Sequence, residues 1–181
     1  MLPRLKNDHK HIAILLKILK NKYKRLADGE YISFSLIRDI VEYMQGYAEH
    51  SHHPLEDIVY EYCLTKVSAE DKSKRLFAEH DRLIEASASL MSTLSLILND
   101  VVVAREQVVQ DLQDYVVLQE AHMLFEEAEI FPLLASTMDE EDWQKITTIC
   151  EEKLVEDPLF SNDDNQLFEE LKQHIAKDEE R

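Results

Sequence analysis

The sequence predicts an all-α fold, an antiparallel up-down four-helix bundle with a C-terminal helical appendage. Three observations lead there. Glycine and proline are scarce, 2 and 4 among 181 residues. No alternation with a period of two persists, and four long segments repeat apolar residues in steps of three and four. With 45% apolar residues the chain is suited to a packed core rather than disorder, and its length suits one domain.

The elements follow in order. The first helix is expected over residues 3–26, with Leu5, His9, Ile12, Leu16, Leu19, Tyr23 and Leu26 on its inward stripe. Gly29 supplies its stop. A second helix starts near Ser33 or Ser35 and reaches about Thr65, turning Ile37, Val41, Met44, Ala48, His52, Leu55 or Glu56, Val59 and Cys63 inward. Pro54 interrupts it, and a kink there either tilts His52 and Glu56 toward a shared metal or accommodates packing, which the sequence leaves open. Ser68, with Asp71 three residues on, is expected to cap the third helix, whose stripe carries Leu76, His80, Leu83, Ser87, Leu90, Leu94 and Ile97. A fourth helix is expected over residues 101–134, with Val108, Leu112, Tyr115, His122, Phe125 or Glu126, and Leu133 inward. Two short helices then follow, in "TMDEEDWQKITTICEEKL" and "SNDDNQLFEELKQHIAKDEER". The expected division is residues 1–136 for the bundle with its site and 137–181 for an extension packed on it.

Charge and composition narrow the function. A net charge of −17 argues against nucleic acid and anionic membrane surfaces as partners. The start "MLPRLKNDHK" lacks the apolar stretch of a signal peptide, and no run spans a bilayer. Cys63 and Cys150 give no disulfide framework, so a cytoplasmic location is expected.

Each long helix carries a histidine on its inward stripe: His9, His52, His80 and His122. Glu56 lies four residues after His52, and Glu126 four after His122, on the same helix faces. Such pairs arise easily, as His53 with Asp57 and His174 with Asp178 show. The order is more specific. A lone histidine and then His-x-x-x-Glu occurs twice, with His9 and His52 separated by 43 residues and His80 and His122 by 42. "NDHKHI" and "FAEHDRL" both place an acid before the lone histidine. Each helical hairpin thus supplies half of a site with approximate two-fold symmetry.

Imidazoles and carboxylates converging in a core are costly unless a cation neutralises them. Two divalent metals, each with two histidine nitrogens and sharing two carboxylates, satisfy all six side chains. Nitrogen and oxygen donors without thiolate suit iron or manganese, with zinc able to substitute. His11, His50 and His53 fall off the stripes and are expected mainly at the surface or rim, as are Asp8, Asp57 and Glu79. Tyr43, Tyr47, Tyr60 and Tyr115 are expected as packing residues, one of which can approach a ligand.

The pieces "DHKHIAILL", "HHPLED", "EHDRL" and "AHMLFEEAEIFPLL" resemble the hemerythrin-like family, also called HHE cation-binding domains. The resemblance implies a di-iron centre with an oxo or hydroxo bridge, held by His9, His52, Glu56, His80, His122 and Glu126. The oxygen-carrying hemerythrins have a further histidine on the third helix, one turn earlier. Here that position is Leu76, and neither Phe77 nor Ile84 offers a nitrogen. The four-histidine, two-glutamate pattern is similar to that of di-iron proteins linked to oxidative and nitrosative stress and to repair of iron centres. The expectation is a protein that binds or senses dioxygen, nitric oxide or a related ligand. The alternative is an enzyme consuming peroxide or nitric oxide, and a metal-free interaction module ranks below both. No protein partner is legible. A ferritin-like oxidase, with Glu-x-x-His and a carboxylate-rich shell, does not fit.

Overall fold

The computed structural model describes residues 1–151, and over that range the chain is helical with no strand among the described residues. Helix α1 (Leu2–Ala27) places Pro3 in its first turn, where a missing amide costs no hydrogen bond. Gly29, at φ +84°, ends it. The Glu30 N–H donates to the Arg25 carbonyl at 2.9 Å and the Gly29 N–H to the Leu26 carbonyl at 3.1 Å, a left-handed stop that glycine adopts without a Cβ clash.

The second long helix is composite. Helix α2 (Phe34–Tyr43) is capped by Ser33, whose hydroxyl accepts the Leu36 N–H at 3.3 Å. Residues Met44–His52 then wind as a π-helix and lead into α3 (His53–Leu64). The His53 N–H donates to the Ala48 carbonyl, five residues back. The expected change at Pro54 is therefore spread over the nine residues before it. A wider turn relieves the clash between a proline ring and the carbonyl four residues earlier.

Helix α4 (Glu70–Leu98) does not begin as expected. Ala69 occupies its N-cap position without a side-chain bond, so Ser68 does not cap it; Glu70 and Asp71 instead place negative charge in the first turn. Asp100, at φ +61°, forms the stop, with the Val101 N–H donating to the Leu96 carbonyl at 3.0 Å. The next helix, α5 (Arg105–Phe125), starts four residues later than the sequence suggests. Val101–Val103 lie outside it, consistent with the poor helix propensity of consecutive β-branched residues directly after a left-handed turn. A second π-helical segment, Glu126–Ile130, leads into α6 (Phe131–Thr137) just before Pro132, and the Phe131 N–H donates to the Glu126 carbonyl.

Short connections make successive long helices antiparallel neighbours. Helix α1 packs along α5, α2 and α3 along α4, and α4 along α5. Two apolar clusters result. One gathers Ile12, Leu16, Leu19, Ile37, Val41, Leu90, Leu94 and Leu112; the other gathers Leu5, Leu55, Val59, Leu76, Phe125 and Leu134. In every long helix the inward histidine sits at the junction of the two. Each buried Leu, Ile or Phe contributes about 1.5–3 kcal/mol, so the polar centre is held between two well-stabilised apolar layers.

Helix α7 (Glu140–Cys150) starts with a capping box between Asp139 and Asp142. It packs on α3, where the Tyr62 hydroxyl donates to Asp142 at 2.9 Å and Lys66 pairs with the same carboxylate. The final helix expected in "SNDDNQLFEELKQHIAKDEER", with His174, lies outside the described residues. No helix among the described residues is long and apolar enough to cross a membrane.

Candidate metal centre

The six residues singled out by the sequence converge. His9, His52, Glu56, His80, His122 and Glu126 are all buried, none more than 5% exposed. The two glutamates lie between two pairs of imidazoles. Glu56 turns Oε1 towards His52 Nε2 at 3.2 Å and His9 Nε2 at 3.6 Å, and Oε2 towards His80 Nε2 at 3.7 Å. Glu126 turns Oε2 towards His9 Nε2 at 3.1 Å, and Oε1 towards His122 Nε2 at 3.4 Å and His80 Nε2 at 3.7 Å. Each carboxylate therefore offers one oxygen to each imidazole pair.

The outer nitrogens are held just as systematically. His52 Nδ1 donates to Asp8 at 3.1 Å, His122 Nδ1 to Glu79 at 3.1 Å, and His9 Nδ1 to Glu127 at 3.0 Å. His80 Nδ1 lies 2.9 Å from Asp57. With the proton on Nδ1, each Nε2 presents a lone pair to the centre, the usual way carboxylates orient metal-binding histidines. Asp8 and Glu79 are thus not surface residues, whereas Asp57 stays at the rim as expected, with 36% of its side chain exposed. The sequence carries a signal for them: an acid precedes each lone histidine, and another follows each paired glutamate. The acid preceding His9 holds His52, and the acid preceding His80 holds His122. The acid after Glu56 holds His80, and the acid after Glu126 holds His9. The pattern repeats in both halves, but neighbours in sequence serve different histidines in space. Tyr47 reaches the same network, its hydroxyl donating to Asp8 at 3.2 Å.

His53 is the main correction. It is buried, 4% exposed, with its ring stacked on His80 at 4.2 Å and edge-on to His122 at 5.4 Å. The expected rim position rests on ordinary α-helical winding up to Pro54. The π-helical segment ending at His52 changes the angular register, and both His52 and His53 then face inward. His50, by contrast, is exposed as expected.

Several facing atoms have no partner of their own. Nε2 of His9, His80 and His122 and both oxygens of Glu56 and of Glu126 are buried without a hydrogen bond. Such groups are normally satisfied, and a cation satisfies them all at once. Ligand atoms of His9, His52 and Glu56 lie within 4.8 Å of one another, as do those of His53, Glu56, His80 and His122. The residues present fit a metal centre.

Electrostatics agree. Burial lowers His9, but Glu126 and Glu56 outweigh it and hold the imidazole up at about 10. Burial likewise acts against His52, which Glu56 and Asp8 raise to about 9, and against His80, which Asp57, Glu126 and Glu56 raise to about 10. Glu56 stays well below the usual carboxylate range in spite of its burial, because His52 and His9 face it. Without metal, protons supply the positive charge the carboxylates need. His53 differs: burial and the neighbouring His80 push it well below its ordinary value, so it is a neutral nitrogen donor.

A family model described as the hemerythrin HHE cation-binding domain matches residues 1–134. No match is found among curated proteins or solved structures.

Proposed function

The chain belongs to the hemerythrin HHE cation-binding family, and we propose from that premise that it is a non-haem di-iron protein. Its role in this reading is to bind or sense dioxygen, nitric oxide or a related small ligand. The observation that carries the proposal is the division of the Glu56 and Glu126 oxygens between the His9/His52 and His80/His122 pairs.

Two ferrous ions bound there supply open coordination positions and one-electron chemistry. The chain's own residues do the rest. The four imidazoles would hold the ions through Nε2, with the Glu56 and Glu126 carboxylates, which lie between the two imidazole pairs, as the shared acidic ligands. Asp8, Glu79 and Glu127 accept the Nδ1–H of His52, His122 and His9, with Asp57 2.9 Å from His80 Nδ1, which orients the rings with Nε2 towards the centre. The apolar layers around Leu16 and around Leu55 exclude bulk water, which strengthens every charge interaction inside. The nitrogen-rich donor set carries less negative charge than a carboxylate-rich one, which favours ligand binding over iron storage. A part in oxidative or nitrosative stress, or in repair of iron centres, fits this chemistry, as does residence in a reducing cytoplasm where ferrous ion is available. Manganese or zinc can take the same donors.

Anaerobic di-ferrous protein titrated with nitric oxide or dioxygen tests the reading. Stoichiometric binding, with no consumption of added reductant, is expected. Sustained turnover of nitric oxide or peroxide with a reductant makes the protein an enzyme instead.

A further inference from the structure

We propose that His53 is a third imidazole ligand of the His80/His122 subsite, so that the two metal positions are chemically unequal. This rests on the di-iron reading above and deepens it.

The geometry is local and specific. A ring nitrogen of His53 lies within 4.8 Å of the ligand atoms of Glu56, His80 and His122, a compact group in which all four residues are buried. The three rings form one cluster, with centroids 4.2 Å apart for His53–His80, 4.8 Å for His80–His122 and 5.4 Å for His53–His122. His53 Nδ1 is buried with no hydrogen-bond partner. A core histidine kept for packing alone would be expected to satisfy that nitrogen. Three of the four other inward histidines, His9, His52 and His122, donate Nδ1–H to a carboxylate, and the fourth, His80, places Nδ1 2.9 Å from Asp57, whereas His53 Nδ1 has no carboxylate beside it. The winding of the helix explains how adjacent residues both reach the centre. His52 closes the π-helical segment and His53 opens α3, so the first serves the His9 side and the second the His80 side.

The consequence is an asymmetric pair. The His9/His52 subsite has two imidazoles and a share of both glutamates; the other has three imidazoles and the same share. The open position for an external ligand therefore falls on the His9/His52 subsite. His53 and His80 also line a surface cleft of about 320 Å³ between α3 and α4, with Pro54 and Ile84. His53 thus stands between this cleft and the metal position.

Apoprotein titrated anaerobically with ferrous ion tests this, using the parent chain, His53→Ala, His53→Phe and His122→Ala. The parent is expected to take up two ions. His53→Ala is expected to keep the first at parent affinity and to bind the second about tenfold or more weakly. Added imidazole, entering through the cleft, is expected to restore the second ion in His53→Ala. His53→Phe, which keeps an aromatic ring but no nitrogen, is expected to lose the same affinity without rescue. Parent-like uptake by His53→Phe, or a loss in His53→Ala that imidazole does not repair, overturns the inference. Where His122→Ala loses an ion and His53→Ala does not, the di-iron reading stands and only this inference falls. A parent that takes up fewer than two ions overturns both.

Discussion

The Glu79 carboxylate joins two roles: one oxygen accepts the Nδ1–H of His122 at 3.1 Å, and the other accepts the Arg75 Nε–H at 2.7 Å. The Arg75 guanidinium lies 3.8 Å over the Phe125 ring, three residues from His122. Burial raises the Glu79 carboxyl, but His122 and Arg75 outweigh it and the group stays ionised. Glu79→Gln keeps the shape and removes the charge. It is expected to weaken metal binding about 10- to 100-fold while leaving helicity unchanged. A metal titration beside a circular dichroism spectrum checks both. Unchanged affinity would mean that Glu79 does not position His122.

His52→Ala and His122→Ala are each expected to lose much of the bound metal, because each removes an imidazole from a different subsite. His50→Ala is the control. His50 is exposed in the same helical turn and is expected to retain the metal. Metal content after gel filtration gives the answer. Equal loss from His50→Ala would show that the inward face is assigned wrongly.

How these residues could be read in the sequence depends on helix winding. His9, His80 and His122 were legible because α1, α4 and α5 keep the regular 3.6-residue period through them. Glu56 and Glu126 were legible because four-residue spacing was preserved to His52 and His122. His53 was not, since a π-helical segment shifts the register and single-residue periodicity has no term for it. The prolines at 54 and 132 mark where the winding changes, yet a proline alone does not distinguish a kink from a wide turn. The acids that hold the imidazoles were visible as a repeat but not as contacts, because Asp8 and Glu79 serve histidines on other helices. The late start of α5 reflects Val101–Val103, whose apolar character continues the helical pattern although their branching opposes it.

Metal removal should cost stability. Nε2 of His9, His80 and His122 and the Glu56 and Glu126 oxygens have no hydrogen-bond partner, so an ion that binds only the folded chain stabilises it by mass action. Chelated protein is expected to melt several degrees lower and to recover when ferrous ion is restored. Identical melting temperatures with and without metal would count against a centre inside the core.

Helix α7 offers a pH-dependent test. Lys66 and the Asp139 backbone N–H outweigh burial and, with Tyr62, hold Asp142 down at about 2, against an ordinary 3.8. A depressed carboxyl contributes stability that is present above 3.8 and lost as pH falls through about 2. Asp142→Asn is therefore expected to be less stable than the parent at neutral pH, with the difference closing as the solution is acidified across that window. Urea denaturation midpoints at a series of pH values measure it. A difference independent of pH would show that the charge of Asp142 does not hold α7 on α3.

The most direct test of the central claim is the iron content of protein reconstituted anaerobically with ferrous ion and freed of excess, measured with its absorption spectrum after oxidation. The account predicts about two irons per chain and the bridged ferric absorption expected of a pair sharing Glu56 and Glu126. One iron or none per chain, with His122→Ala indistinguishable from the parent, would contradict it.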